Sequence, residues 1–361
     1  MHRLLTWLKN LVSVTVGVSV LLAVGEIAAR VFSQVPSQAT SEALFVPNVH
    51  GSSFGNAKDF RGEAFGIPVQ TDTRGFRTAL DDASGSYRAA LYPAPSLLVL
   101  GDSVAFGPGV AESETFAALL RSMLGRGVEN AAVIGYSTYD YLNFVRHVDL
   151  SRSQFDQVLL VFCLNDVHRE SSVEINARLA ARDAGQAPPV LESRPAAAGD
   201  NWVETLRRIG FIERANRFLA DRSKLYVLVR ALVTDTSGRY FKADFEPYLD
   251  GKERLASVID DLRSVERELM SKGIPLTIVI TPYEAQLRSR DSAVWLPQRF
   301  LTEQMRLAGI EAHDAAGAFQ NAGGNPADYF LSHDPMHLSV EGHALLARYL
   351  TEAVLPRSQS N

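Results

Sequence analysis

The sequence predicts an α/β protein, a parallel sheet covered by helices on both faces, preceded by one membrane-spanning helix. Three observations carry this expectation. From Ser96 onward, short continuous apolar runs alternate with stretches of helical periodicity. The runs end at small or polar residues, as strands do where they leave a sheet. The first thirty-odd residues hold an uncharged apolar tract that sets them apart from the rest.

Leu11–Val24 (LVSVTVGVSVLLAV) contains no charge, and Leu4, Leu5, Trp7 and Leu8 extend it upstream. Read from Leu4 to Gly25, the stretch is long enough to cross ~30 Å of hydrocarbon as a helix. Trp7 and Lys9 suit the membrane interface. Arg3 and Lys9 precede the tract, whereas Arg30 alone follows it before Lys58, which orients the amino terminus toward the cytoplasm. A cleaved signal peptide is the rival reading, but Gly25–Arg30 (GEIAAR) makes a poor small-x-small cleavage site. The organisation expected is an anchor over residues 1–32, a tether and lead-in over 33–65, and one domain over 66–356 with an insertion at about 170–250.

Within the domain, Gly66–Arg77 (GIPVQTDTRGFR) reads as an extended lead-in with a turn at Arg74-Gly75. Ser96–Leu100 is a strand of the doubly buried kind, stopping at Gly101-Asp102-Ser103. Helix Thr115–Leu124, strand Val128–Ile134 ending at Gly135, and helix Tyr139–Leu150 follow. Strand Gln157–Leu164 then ends at Asn165-Asp166. The insertion breaks this rhythm: Ala177–Ala198 reads as a loop or ragged helix, and Val203–Val233 has helical periodicity. A lid, a substrate-facing cap and plain surface elaboration are all open for it. The alternation returns with helix Glu253–Lys272, strand Leu276–Thr281, helix Leu296–Ala308, a short strand at Ile310–Ala312 and helix Val340–Leu350.

Composition narrows the classes. With 46% apolar residues, the 361-residue chain can bury a sizeable core. A net charge of −5 and the lack of a Lys/Arg stripe exclude a nucleic-acid partner. The single cysteine, Cys163, forbids an intramolecular disulfide and reads as a small core residue.

In an open parallel sheet, ligands bind beyond the carboxyl ends of the strands. Three of the expected strands end there in residues that acyl transfer uses. Ser103, at a tight strand-to-helix turn, presents a hydroxyl and its own N–H. Gly135 lets a substrate oxygen approach its backbone N–H, and the Asn165 amide adds a further donor, so the three together can form an oxyanion hole. A hydroxyl needs a base, and His337 is the best candidate, with Asp334 close enough in sequence to hold its Nδ1. Taken singly, each motif has an ordinary reading as a helix cap or a turn; their order and placement carry the argument. His168 could line an acyl pocket, and Tyr136, Tyr139 and Tyr141 either touch substrate or pack. His333 and His343 flank the candidate base; His333 directly precedes Asp334, so those two side chains diverge, and His343 sits in the closing helix. Without a His-Glu-x-x-His or comparable pattern, no metal site and no cofactor is expected.

Gly101-Asp102-Ser103-Val104, Gly135, Asn165-Asp166 and Asp334-Pro335-Met336-His337 resemble, in order, the four blocks of the SGNH/GDSL hydrolases. The resemblance implies a flavodoxin-like three-layer α/β/α sandwich. It also implies Ser103 as nucleophile, His337 as general base, Asp334 as its orienter, and Ser103, Gly135 and Asn165 as the oxyanion hole. Val104 stands where leucine is usual, and Cys163 where the third block often has glycine. The apolar helix followed by Val69–Arg77 (VQTDTRGFR) is similar to anchored bacterial members, some of which act on acylated glycans as esterases or acetyltransferases. The expectation is therefore an esterase on the bacterial inner membrane, facing the periplasm and removing short acyl groups from a carbohydrate or lipid. An O-acyltransferase with the same residues and a non-catalytic glycan-binding module are the alternatives.

Overall fold

Strands buried on both faces organise the chain. In the computed structural model, which describes residues 2–32, 40–79, 94–168, 170–186, 218–219, 222–332 and 334–355, β6 (Ser96–Gly101) and β9 (Leu276–Ile280) are buried at every position. β8 (Phe155–Phe162) is buried over its last five residues. Helices on both sides leave no solvent face, so these strands read as unbroken apolar runs rather than alternating ones. With β7 (Val128–Asn130) and β10 (Glu311–Asp314) they form the parallel part of an eight-stranded sheet, in the order β10-β9-β8-β6-β7. That is the flavodoxin-like order: the chain leaves β6 for one side, then returns to place β8 on the other. The crevice above the carboxyl ends of β6 and β8 is the switch point at which such sheets bind ligands. Helices Phe116–Leu124 and Val340–Tyr349 pair with each other, while Thr138–His147, Lys252–Ser271 and Leu296–Ala308 form a second packed row. Right-handed crossovers put the two groups on opposite faces.

The expected second strand, Val128–Ile134, is shorter as a regular strand. Asn130 donates from Nδ2 to Ala105 O (2.8 Å) and accepts the Ala132 N–H on Oδ1 (3.1 Å). This local side-chain bond bends the backbone out of the ladder. The chain nonetheless stays beside β6 through Ala131 N to Val99 O and Val133 N to Gly101 O.

Ahead of β6 the structure is richer than a tether. β1 (Phe45–Val49) and β2 (Ser52–Asn56) make an antiparallel hairpin. β3 (Arg61–Ala64), β4 (Ile67–Thr71) and β5 (Arg77–Thr78) extend the main sheet antiparallel beyond β7. The sheet thus begins at Arg61, ahead of the expected domain start at 66. Pro47, Gly55 and Gly62 interrupt the alternation that would have announced these strands.

In the insertion, Glu170–Asp183, Lys224–Val233 and Thr236–Asp250 are helices. Residues 187–217, and with them most of the expected Ala177–Ala198 loop and the start of the Val203–Val233 run, lie outside the described residues. The N-terminal helix His2–Phe32 includes a span, Asn10–Val31, of mean hydropathy 2.1, exposed over Leu11–Val24. It is long and apolar enough to cross a membrane, a property that signal sequences share.

Candidate active site

Where β6 gives way to the helix Ser103–Phe106, Gly101 has φ +152° and packs too closely for a side chain. A Cβ there would stand 2.5 Å from Ala105 Cβ and 2.8 Å from Val161 O. Asp102 caps the short helix by accepting the Val104 N–H at 2.8 Å. This turn presents Ser103, 7% exposed, at the switch point.

The other half comes from the turn before the closing helix. Asp334 Oδ1 accepts the N–H groups of Met336 (3.0 Å) and His337 (2.8 Å), which locks the carboxylate against its own backbone. Its Oδ2 lies 2.8 Å from His337 Nδ1, and His337 Nε2 lies 2.8 Å from Ser103 Oγ. With Nδ1–H donating to Asp334, Nε2 is unprotonated and accepts the serine proton. Asp102 Oδ2, at 3.1 Å, is the more distant competitor for that proton. Burial alone would push the His337 pKa down. The charge of Asp334 and its hydrogen bond, helped by the charge of Asp102, outweigh burial and raise it above the ordinary value.

Asn165 lies in the turn after β8, and its Nδ2 donates to Asp102 Oδ2 at 3.1 Å. The fully buried Asp102 thus touches both Ser103 and Asn165, and burial raises its pKa. Gly135, in the loop that continues from β7, has φ +88°, a conformation that favours glycine. The sheet therefore brings Ser103, Gly135 and Asn165 to one edge, and the chain's return brings His337 and Asp334 to Ser103.

Two residues expected as candidate substrate contacts, His168 and Tyr136, have partners in the interior. His168 is buried: Arg254 Nη1 donates to its Nδ1 at 2.8 Å, and its Nε2 faces Asp244 Oδ1 at 3.3 Å. Tyr283 donates to the other Asp244 oxygen at 2.7 Å, so His168 ties the insertion helix Thr236–Asp250 to the sheet. Tyr136 is also buried, its phenol donating to Phe54 O at 3.0 Å and its ring edge-on to Phe54, which clamps the β1–β2 hairpin. Cys163 is fully buried beside Tyr283, and burial pushes its thiol pKa well up, so it is an inert core residue. His343 is buried, accepts the Phe116 N–H at 3.2 Å on Nδ1, and has its pKa pushed down to about 3 by burial and by the charge of Arg77. His333 lies outside the described residues.

Sequence reasoning missed Phe65. It forms, with Gly66, the two-residue turn between β3 and β4, where both residues have positive φ (53° and 74°). A left-handed Phe is strained, and here its ring packs edge-on against the His337 imidazole at 4.9 Å. Replacing Phe65 by alanine should loosen that ring and lower kcat on a soluble ester by about tenfold, read at unchanged Tm. The Phe65-Gly66 pair, a glycine directly before the Ile67–Thr71 run, was the available signal.

A hydroxyl, an imidazole and a carboxylate in line at the switch point of such a sheet can perform acyl transfer through a serine ester. The chain belongs to the GDSL-like lipase/acylhydrolase family, whose model matches residues 99–345, and its activity class is that of an acyl ester hydrolase. Among solved structures it is similar to an acetylxylan esterase from Geobacillus stearothermophilus (17% identity, 75% of this chain and 99% of that one, TM-score 0.38). It is also similar to lipolytic proteins of the G-D-S-L family from Desulfitobacterium hafniense (12% identity, 71% and 97%, TM-score 0.38) and Veillonella parvula (12% identity, 73% and 99%, TM-score 0.38). At these scores the fold is read from the sheet order itself. No curated protein sequence matches the chain.

Proposed function

We propose that the chain hydrolyses short-chain, notably acetyl, esters on a carbohydrate or lipid outside the cytoplasm through an acyl-enzyme at Ser103. His337 takes the hydroxyl proton as Oγ bonds to the ester carbonyl carbon. It then returns that proton to the departing alcohol as the ester C–O bond breaks, and water repeats the sequence to release the acid. The N–H groups of Ser103 and Gly135 and the Asn165 amide would hold the oxyanion. Asp334 fixes the imidazole tautomer and stabilises the imidazolium. The observation that carries this reading is the continuous chain Ser103 Oγ, His337 Nε2, His337 Nδ1, Asp334 Oδ2, with 2.8 Å at each link between side chains. The apolar helix supports an uncleaved anchor, and the charge bias across it supports an inner-membrane protein with its domain in the periplasm.

Labelling of Ser103 by a fluorophosphonate, together with release of free acid from acetylated oligosaccharide, tests the reading. If acylated glycan accumulates in place of free acetate when an acceptor is supplied, the enzyme is an acyltransferase. An unreactive Ser103 in folded protein contradicts catalysis altogether.

The raised His337 pKa sets the acid limb. The base works only when neutral, so kcat/KM should fall as pH drops through an apparent pKa above the ordinary histidine value of 6.5. A limb centred below 6.5 in a pH–rate profile would contradict the coupling to Asp334.

A further inference from the structure

We infer that the insertion helix Lys224–Val233 is a second membrane element, lying in the headgroup layer of an anionic phospholipid surface beside the spanning helix. The inference rests on reading His2–Phe32 as an anchor, and goes beyond it.

The two helices are joined through Glu26. Its carboxylate accepts from Ser223 Oγ (2.7 Å), Lys224 N (3.1 Å) and Leu225 N (3.1 Å), and so caps the first turn of the insertion helix. Arg30 bonds the same carboxylate at 2.7 Å and the Arg222 carbonyl at 2.7 Å. Gly25 permits the close approach, since a Cβ there would stand 3.0 Å from Leu225 Cδ2. A carboxylate and a guanidinium are costly in hydrocarbon. The apolar core of the anchor therefore ends at about Gly25, and Glu26 and Arg30 sit in the headgroup layer. The insertion helix, capped by Glu26, begins at that same level.

What this helix exposes suits that layer. Val227 is buried, yet Val229 is 49% exposed and nearby Phe218 is 56% exposed. Arg222 and Lys224 stand at one end of the helix and Arg230 near the other, with the Arg222 guanidinium stacked over the Phe218 ring at 4.4 Å. In a chain of net charge −5, the sequence from Arg207 to Arg230 carries seven basic residues against Glu213 and Asp221. Apolar side chains flanked by cations, continuous with a membrane span, are the composition of an interfacial helix on anionic lipid. Thr234 and Asp235 then link it to helix Thr236–Asp250, whose Asp244 is bonded to Tyr283. The membrane element is thus coupled to the catalytic scaffold by a short connection.

The test uses the full chain in vesicles with about one third phosphatidylglycerol and brominated acyl chains. Single cysteines at Leu21→Cys and Val229→Cys carry an environment-sensitive fluorophore; the native Cys163 is buried and stays unlabelled. Quenching at both positions, roughly two-fold or more, with Val229→Cys quenching lost in the Arg222→Glu/Lys224→Glu/Arg230→Glu variant, is the expected result. Quenching at Leu21→Cys without quenching at Val229→Cys overturns the inference and leaves the anchor standing. Absence of quenching at Leu21→Cys overturns both.

Discussion

Ser103→Ala and His337→Ala should each lower kcat on a chromogenic acetate ester by roughly four to six orders of magnitude, with the fold unchanged. The two residues act as one unit. His337 Nε2 faces the Ser103 hydroxyl at 2.8 Å, and that hydroxyl is a poor nucleophile without it. The double variant should therefore be no slower than either single one. Asp334→Asn should cost about 10⁴ for a more specific reason. The substituted amide can still accept the Met336 and His337 N–H groups through its carbonyl, so the turn survives. It would then present an amide N–H to Nδ1, which makes Nδ1 the acceptor and puts the ring proton on Nε2, facing Ser103. The base would be in place but already protonated at the working atom. Steady-state kinetics beside thermal melts separate this from unfolding. Turnover within tenfold of wild type in any of the three single variants would refute the assignment.

The parts of this site that were legible in the sequence are those written locally or at the end of a strongly patterned strand. Asn165 directly follows, and Ser103 follows by way of Gly101-Asp102, apolar runs that could be little else but buried strands. Asp334 and His337 lie within one turn of each other. Even the pairing of Ser103 with His337, 234 residues apart, follows once both are assigned to the same sheet edge. What was hidden depends on side-chain direction or on weakly patterned chain. His168 follows a 3₁₀ turn and meets Asp244 of the insertion helix, a partnership across the fold that its place in the sequence did not announce. Helix Thr236–Asp250 contains Gly238 and Pro247, both poor helix residues, and was not anticipated as an element. Phe65 reaches His337 through a hairpin whose short strands look like part of a linker.

Arg77 is the position at which a single change should do most damage to stability. It is 1% exposed, yet Nη1 donates to the carbonyls of Phe106 and Gly107, and Nη2 donates to Val110 O at 2.6 Å. Those carbonyls belong to the segment that closes the helix Ser103–Phe106, and the guanidinium also lies over the Phe106 ring at 5.0 Å. Burial pushes its pKa down to about 10 against the opposing charge of Glu112, so it remains a cation at neutral pH. Replacing both members of a buried polar cluster by apolar groups can be neutral, because nothing is left unpaired. Arg77→Met is the other case: three buried acceptors would lose their donor at once, at ~1–3 kcal/mol each, less the desolvation cost the cation no longer bears. A net loss of about 3 kcal/mol is expected, which lowers Tm by about 6–12 °C in a domain of this size. Arg77→Lys keeps the charge, but a single ammonium cannot span the Phe106 and Val110 carbonyls, so it should recover less than half of that loss. If Arg77 positions the helix that presents Ser103, well below Tm both variants should lose kcat at nearly constant KM. A purely structural role would leave that ratio untouched. Melting within 2 °C of wild type for Arg77→Met would mean that those carbonyls find other partners, and that the guanidinium does not hold the turn that presents Ser103.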